Sequence, residues 1–204
     1  MQSHSRQPYN EGLVLLKLAR TDLTKGGSLM SLLLTGLDSR LSLDLVIWMF
    51  PVAFLIHDLE EILTTERFSR ENRERFPKFL RGIATISTTQ FIVAVVVLLV
   101  LTVVAAYLAT SSPRELLVLT LTLGMFLVHV VGHIAFPIFF RRYTPGLITA
   151  IVIVFPYSLY AFYRLFSAHL IKSESFNLSL LLGALLVAPL IWLALFVGKW
   201  LTER

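Results

Sequence analysis

The 204-residue chain has no cysteine at all. That absence excludes a disulfide scaffold, thiolate zinc sites, iron–sulfur clusters and cysteine nucleophiles. Charge is scarce as well: Asp, Glu, Lys and Arg make up 15% of the sequence, against roughly 25% in soluble domains. Two-residue alternation is missing from the long apolar runs, which removes the signature of a membrane β-barrel. What is there is apolar: 56% of residues are hydrophobic and the mean hydropathy is +0.76. Too little polar surface remains to clothe a water-facing globule of this size. The net charge of +5 and a pI near 9.7 would point to nucleic acid in a soluble protein. In a membrane protein they reflect basic loops and anionic lipid. The composition reads as a multi-pass protein of the cell membrane, with the lipid bilayer as its partner and no nucleic acid.

Ile83–Ala109, Leu116–Phe140, Tyr143–Tyr163 and Ser175–Gly198 carry no charged side chain. Each supplies the roughly 20 residues that a helix needs to cross the hydrocarbon core. A fifth segment, Leu41–Leu63, has an uncharged heart from Leu45 to Ile56 but also holds Asp44, His57, Asp58, Glu60 and Glu61, with Pro51 inside it. Its apolar core makes it a span with a Pro kink, which membranes tolerate. The expected fold is all-α, a bundle of about five transmembrane helices near 43–63, 84–109, 116–140, 146–163 and 177–198. These form one membrane domain over 41–204, preceded by a polar and amphipathic tail over 1–40 in which Lys25-Gly-Gly-Ser28 reads as a linker. Arginine and lysine are densest between Arg67 and Arg81, with further ones at Arg141, Arg142 and Lys199. The positive-inside rule therefore predicts a cytoplasmic C-terminus.

Ionisable groups inside spans cost roughly 2.5 to 3.5 kcal/mol each near the centre, so each invites a functional reading. Here they concentrate on two helices. At 100° per residue, Glu60 falls to one side of His57 and Glu61 to the other, within one face, with Asp58 at its margin. His129 and His133 are four apart and share a face of the third span, and Gly132 beside them would let a neighbouring helix approach. One full span separates the two segments, so both run toward the same side of the membrane and the two sets lie at similar depth. Together His57, Glu60, Glu61, His129 and His133 form a competent ligand set for zinc, iron or manganese. Taken separately, the histidines would act as polar glue between helices and the glutamates as helix caps or ion-pair partners.

The run Pro51-Val-Ala-Phe-Leu-Ile-His57-Asp-Leu-Glu60-Glu61 resembles the signature of the HXXEE-domain family of small integral membrane proteins. The resemblance continues through His129-Val-Val-Gly-His133 and Arg141-Arg-Tyr143-Thr-Pro145-Gly146-Leu-Ile-Thr149 and covers about residues 45 to 160. It implies a multi-span helical protein whose His and Glu residues are the functional positions, and it supplies no substrate. Other analogies fit less closely. HExxH membrane proteases place a glutamate where Val130 stands, and the glutamate-type CAAX proteases place an arginine closer to the paired glutamates than Arg67 is. The membrane desaturases share an HxxxH box but use more ligands.

Two functional classes follow. One is an intramembrane metal-dependent enzyme, a hydrolase or oxidoreductase. In it the three histidines and one of Glu60 and Glu61 hold a divalent metal ion, and the other glutamate serves as general base on a lipid or other hydrophobic substrate. The other is a transporter, an ion or proton relay, or a sensor that uses the same residues without catalysis. Tyr143-Thr-Pro-Gly146 is expected to form a type II turn with Pro145 and Gly146 at its centre. Tyr157, Tyr160 and Tyr163 are expected to mark a packing face or an aromatic belt.

Overall fold

The computed structural model describes residues 41–76, 78, 85–112 and 116–203; the side chain of Phe139 is outside this set, as is the expected tail and its linker. The described residues contain five long helices: α1 (Leu43–Glu71), α2 (Thr88–Ser111), α3 (Leu116–Phe140), α4 (Leu147–Ser167) and α5 (Ser173–Thr202). A 3₁₀ turn, Arg73–Arg75, follows α1, and no strand occurs among the described residues. The protein is an all-α bundle.

Four of the helices, α2 to α5, are long and apolar enough to cross a membrane. The inside–outside pattern of α1 is the reverse of that of a soluble helix. Leu45, Trp48, Met49, Val52, Leu55, Ile56, Leu59 and Leu63 are exposed, whereas His57, Asp58 and Glu61 are buried. An apolar stripe at helical spacing on the outside, with ionisable groups inside, is stable when the surroundings are hydrocarbon. The helix also runs on to Glu71, past the expected end at 63, for a length of about 43 Å. Its last two turns carry charges of both signs, including the Arg67–Glu71 pair at 2.8 Å.

Side chains from distant segments close the helix ends. Ser87 and Gln90 form a capping box at the start of α2, which is why this helix begins at Thr88 and not at 84. Glu66 of α1 adds a second cap, accepting from the Thr88 amide at 2.7 Å and from its hydroxyl. Arg75 donates to the carbonyl of Phe140 at 3.2 Å, at the end of α3, beneath a cluster of Phe68, Phe76 and Phe140. Inside the bundle Phe50 and Phe54 pack on Phe126 of α3, at 5.5 and 5.7 Å between ring centroids. Tyr157 stacks on Phe50 and donates to the carbonyl of Val46 at 3.0 Å. Together with the stacked Tyr160–Tyr163 pair, this gives the tyrosines of α4 a packing role.

The close helix approach expected at Gly132 occurs elsewhere. A methyl group at Gly132 would meet nothing within 4 Å, whereas one at Gly124 would lie 2.5 Å from Ser179 Oγ of α5. One at Gly183 would lie 3.0 Å from the backbone of Met125. Small residues therefore set the α3–α5 spacing two turns away from the histidines. Gly183→Ala is expected to lower stability by about 1–3 kcal/mol, since backbone cannot move aside as a side chain can. Gly132→Ala is expected to be neutral or to stabilise by up to about 1 kcal/mol. Thermal unfolding in detergent separates the two, and equal losses would contradict this packing.

Candidate metal centre

His57 and Glu61 lie one turn apart on the buried face of α1, and His129 and His133 lie one turn apart on α3. One ligand atom from each of the four comes within 4.8 Å of all the others. His133 Nε2 is 2.9 Å from His129 Nε2 and 3.0 Å from Glu61 Oε1. Ligands about 2.0–2.1 Å from a tetrahedral ion stand about 3.3 Å from one another, and the observed separations bracket that value. The His57 ring packs edge-on against those of His129 and His133, with centroids 5.6 and 4.8 Å away.

Hydrogen bonds behind the rings decide which nitrogens face inward. His133 Nδ1 is 2.9 Å from the carbonyl oxygen of Pro145. A carbonyl only accepts, so the Nδ1 of His133 carries a proton, and Nε2 is the nitrogen that faces Glu61 and His129. His57 Nδ1 is 2.9 Å from Thr149 Oγ1. The single proton of that hydroxyl is committed to Glu60 Oε2 at 2.6 Å, so the hydroxyl accepts from His57 Nδ1–H. His57 Nε2 is then a bare lone pair, fully buried and without a hydrogen-bond partner. Imidazoles oriented from behind by a carbonyl and a hydroxyl are the usual outer shell of a metal site.

The turn between α3 and α4 makes this possible. Leu147 N donates to Thr144 O at 3.3 Å, and Gly146 has φ +76° and ψ −4°, the values of the third position of a type II turn. Pro145 sits before it, as expected. A Cβ at Gly146 would lie 2.8 Å from His57, 3.0 Å from Glu61 and 3.0 Å from His133. Glycine is required here twice, for its backbone angle and for the space that the cluster occupies.

The two adjacent glutamates have different tasks. Glu61 joins the cluster. Glu60 turns to the other flank of His57, toward the first turn of α4. There it accepts from the amides of Thr149 at 2.8 Å and Ile148 at 3.3 Å, from the Thr149 hydroxyl, and from the hydroxyl of Tyr143. A carboxylate at a helix N-terminus satisfies orphan amides and complements the dipole. Glu60 thus lies outside the group of four whose ligand atoms converge, and its carboxylate faces four donors. Tyr143 reaches the site through Glu60. Asp58, expected at the margin, is 5% exposed, and its Oδ2 has no hydrogen-bond partner. The sequence gives no direct sign of the roles of the Pro145 carbonyl and Thr149 hydroxyl, although both lie in the turn segment that follows the histidine pair.

These features define a class: an all-helical bundle with four helices suited to a membrane and a buried cluster of three imidazoles and one carboxylate. Within that class the chain belongs to the HXXEE family. The model of that family, described as protein of unknown function with HXXEE motif, matches residues 48–161. No curated protein and no solved structure matches the chain. The motif that names the family is His57-Asp-Leu-Glu60-Glu61, so its first and last residues enter the cluster and its middle glutamate fastens α4.

Two outcomes are expected. Gly146→Ala should cost about 2 kcal/mol or more through strain and overlap with the rings, read as a lowered unfolding temperature; wild-type stability would contradict the turn. Burial, the hydrogen bond to Glu60 and the charge of Glu60 push the hydroxyl of Tyr143 up to about 12. Because the neutral phenol is favoured in the folded state, its stabilising contribution is complete below pH 10 and is lost as pH rises toward 12. A spectrophotometric tyrosine titration of wild type minus Tyr143→Phe should therefore show this phenol ionising well above the ordinary value, and a midpoint near 10 would contradict the contact.

Proposed function

We propose that His57, Glu61, His129 and His133 bind one divalent ion of the zinc, iron or manganese class, and that the protein is an intramembrane metal-dependent enzyme acting on a hydrophobic substrate. The observation that carries this reading is the convergence of four ligand atoms, with the bare, unpartnered Nε2 of His57 among them. A buried polar atom without a partner is costly, and coordination would satisfy it. A divalent charge would also offset the buried carboxylates beside it.

An ion bound there supplies a Lewis acid, or redox chemistry if it is iron. The chain does the rest. Pro145 and Thr149 hold the two rings in one tautomer and orientation. Glu61 provides the anionic ligand, and the phenylalanines of α1 and α3 keep bulk water away. Glu60 acts at one remove, by fixing Thr149 and so His57. The Lys and Arg bias supports a cytoplasmic C-terminus in this reading.

The non-catalytic alternative, a proton or ion relay, draws support from the 2.9 and 3.0 Å contacts that link His129, His133 and Glu61. Transport would need a polar path to the other face of the membrane. Toward the start of α1 the acidic group that remains is Asp44, which is exposed. Metal content decides between the readings. Purified wild type, assayed by elemental mass spectrometry, should carry about one ion per chain, which His129→Ala/His133→Ala loses. Glu60→Gln should keep the ion but bind it about 10- to 100-fold more weakly. A folded wild type that stays metal-free when offered zinc, iron and manganese would overturn the enzyme reading in favour of the relay.

A further inference from the structure

A cleft of about 700 Å³, counting its open mouth, adjoins the cluster on the side away from α4. α2 lines it between Phe91 and Thr102, α5 between Val187 and Leu195, and Phe50 and Phe54 of α1 and Met125 of α3 add to its walls. The twelve residues of α2 from Phe91 to Thr102 span about 16 Å, so the space is long and runs parallel to the helices. Its ionisable lining consists of Asp58, Glu61 and His129. The cleft is therefore an elongated apolar space with polar chemistry concentrated at the metal-type cluster.

Two further observations say what fits it. Asp58 is 95% buried, lines the cleft, and holds an oxygen with no hydrogen-bond partner. That oxygen is a buried polar atom with its hydrogen-bonding capacity unused, so the ligand should bring a polar head to it. Glu61 in the same wall would repel a carboxylate or phosphate head. Second, an outer groove between α2 and α5 is lined entirely by apolar side chains and shares Leu98, Leu101 and Leu190 with the inner cleft. These leucines form a common wall between the hydrocarbon side of the bundle and the cleft.

We propose that the cleft takes a single-chain amphiphile with a neutral hydrogen-bond-donating head, a long-chain alcohol or amide, which enters sideways from the bilayer past Leu98, Leu101 and Leu190 and places its head against Asp58 beside the cluster. This substrate class rests on the enzyme reading for its catalytic meaning. Binding itself does not require the metal, and so the two can fail separately. Asp58 acts as a binding residue that fixes the head, and the leucines act as the gate.

The test uses the full chain in lipid nanodiscs and a long-chain alcohol carrying a diazirine and an alkyne, with labelled peptides mapped by mass spectrometry. Labelling should be saturable and, mapped to single residues, fall on cleft-lining positions such as Val95, Leu98, Val187 and Ile191. Hexadecanol should compete about tenfold better than hexadecane, the worth of one buried hydrogen bond, and better than hexadecanoic acid. Asp58→Val should erase the preference for the alcohol over the alkane. Leu98→Trp/Leu190→Trp should reduce labelling several-fold with metal content unchanged. Equal competition by alcohol and alkane on the wild type, or labelling confined to outward-facing residues such as Val96, Val100 and Leu193, would overturn the proposal, and neither result depends on a variant that folds. A metal-free wild type with the expected labelling would sink the enzyme reading and leave this one standing.

Discussion

Burying three imidazoles and two carboxylates in a bundle with so little polar material is the constraint on which the rest of this structure depends. Each buried polar atom must find a partner or be expensive. His133 finds the Pro145 carbonyl, His57 finds Thr149, and Glu61 finds His133. The reversed pattern of α1, the left-handed Gly146 and the small residues between α3 and α5 all serve to bring these groups together. The inward nitrogen of His57 and one oxygen of Asp58 are needs that this network leaves unmet.

A good part of this was legible in the sequence. Four uncharged runs are long enough to be spans by length alone, and four of the five long helices coincide with them. The i, i+4 spacing of His129 and His133 and the flanking of His57 by Glu60 and Glu61 put the site on two helices of common direction. Pro145-Gly146 announced the turn because few other pairs suit a type II geometry.

What was not legible depends on where neighbouring helices sit. Glu60 and Glu61 lie on opposite flanks of His57, and only the position of α4 relative to α3 decides which flank meets the imidazoles and which meets free amides. Asp58 looked marginal because the helical wheel does not reveal that α2 and α5 close over that side. Gly132 attracted attention by its place between two histidines, yet it faces open space, while Gly124 and Gly183 carry the contact. The continuation of α1 to Glu71 was hidden by its charges, which suit a helix that leaves the hydrocarbon as well as they suit a loop.

An ion held as proposed has three histidine nitrogens and one carboxylate oxygen as its first coordination sphere. X-ray absorption at the metal edge of the loaded wild-type protein reads that sphere. Imidazole scattering from three rings is expected, with nitrogen and oxygen neighbours at about 2.0–2.1 Å for zinc. A shell of oxygen atoms alone, with no imidazole signature, would place any bound ion elsewhere and overturn the assignment.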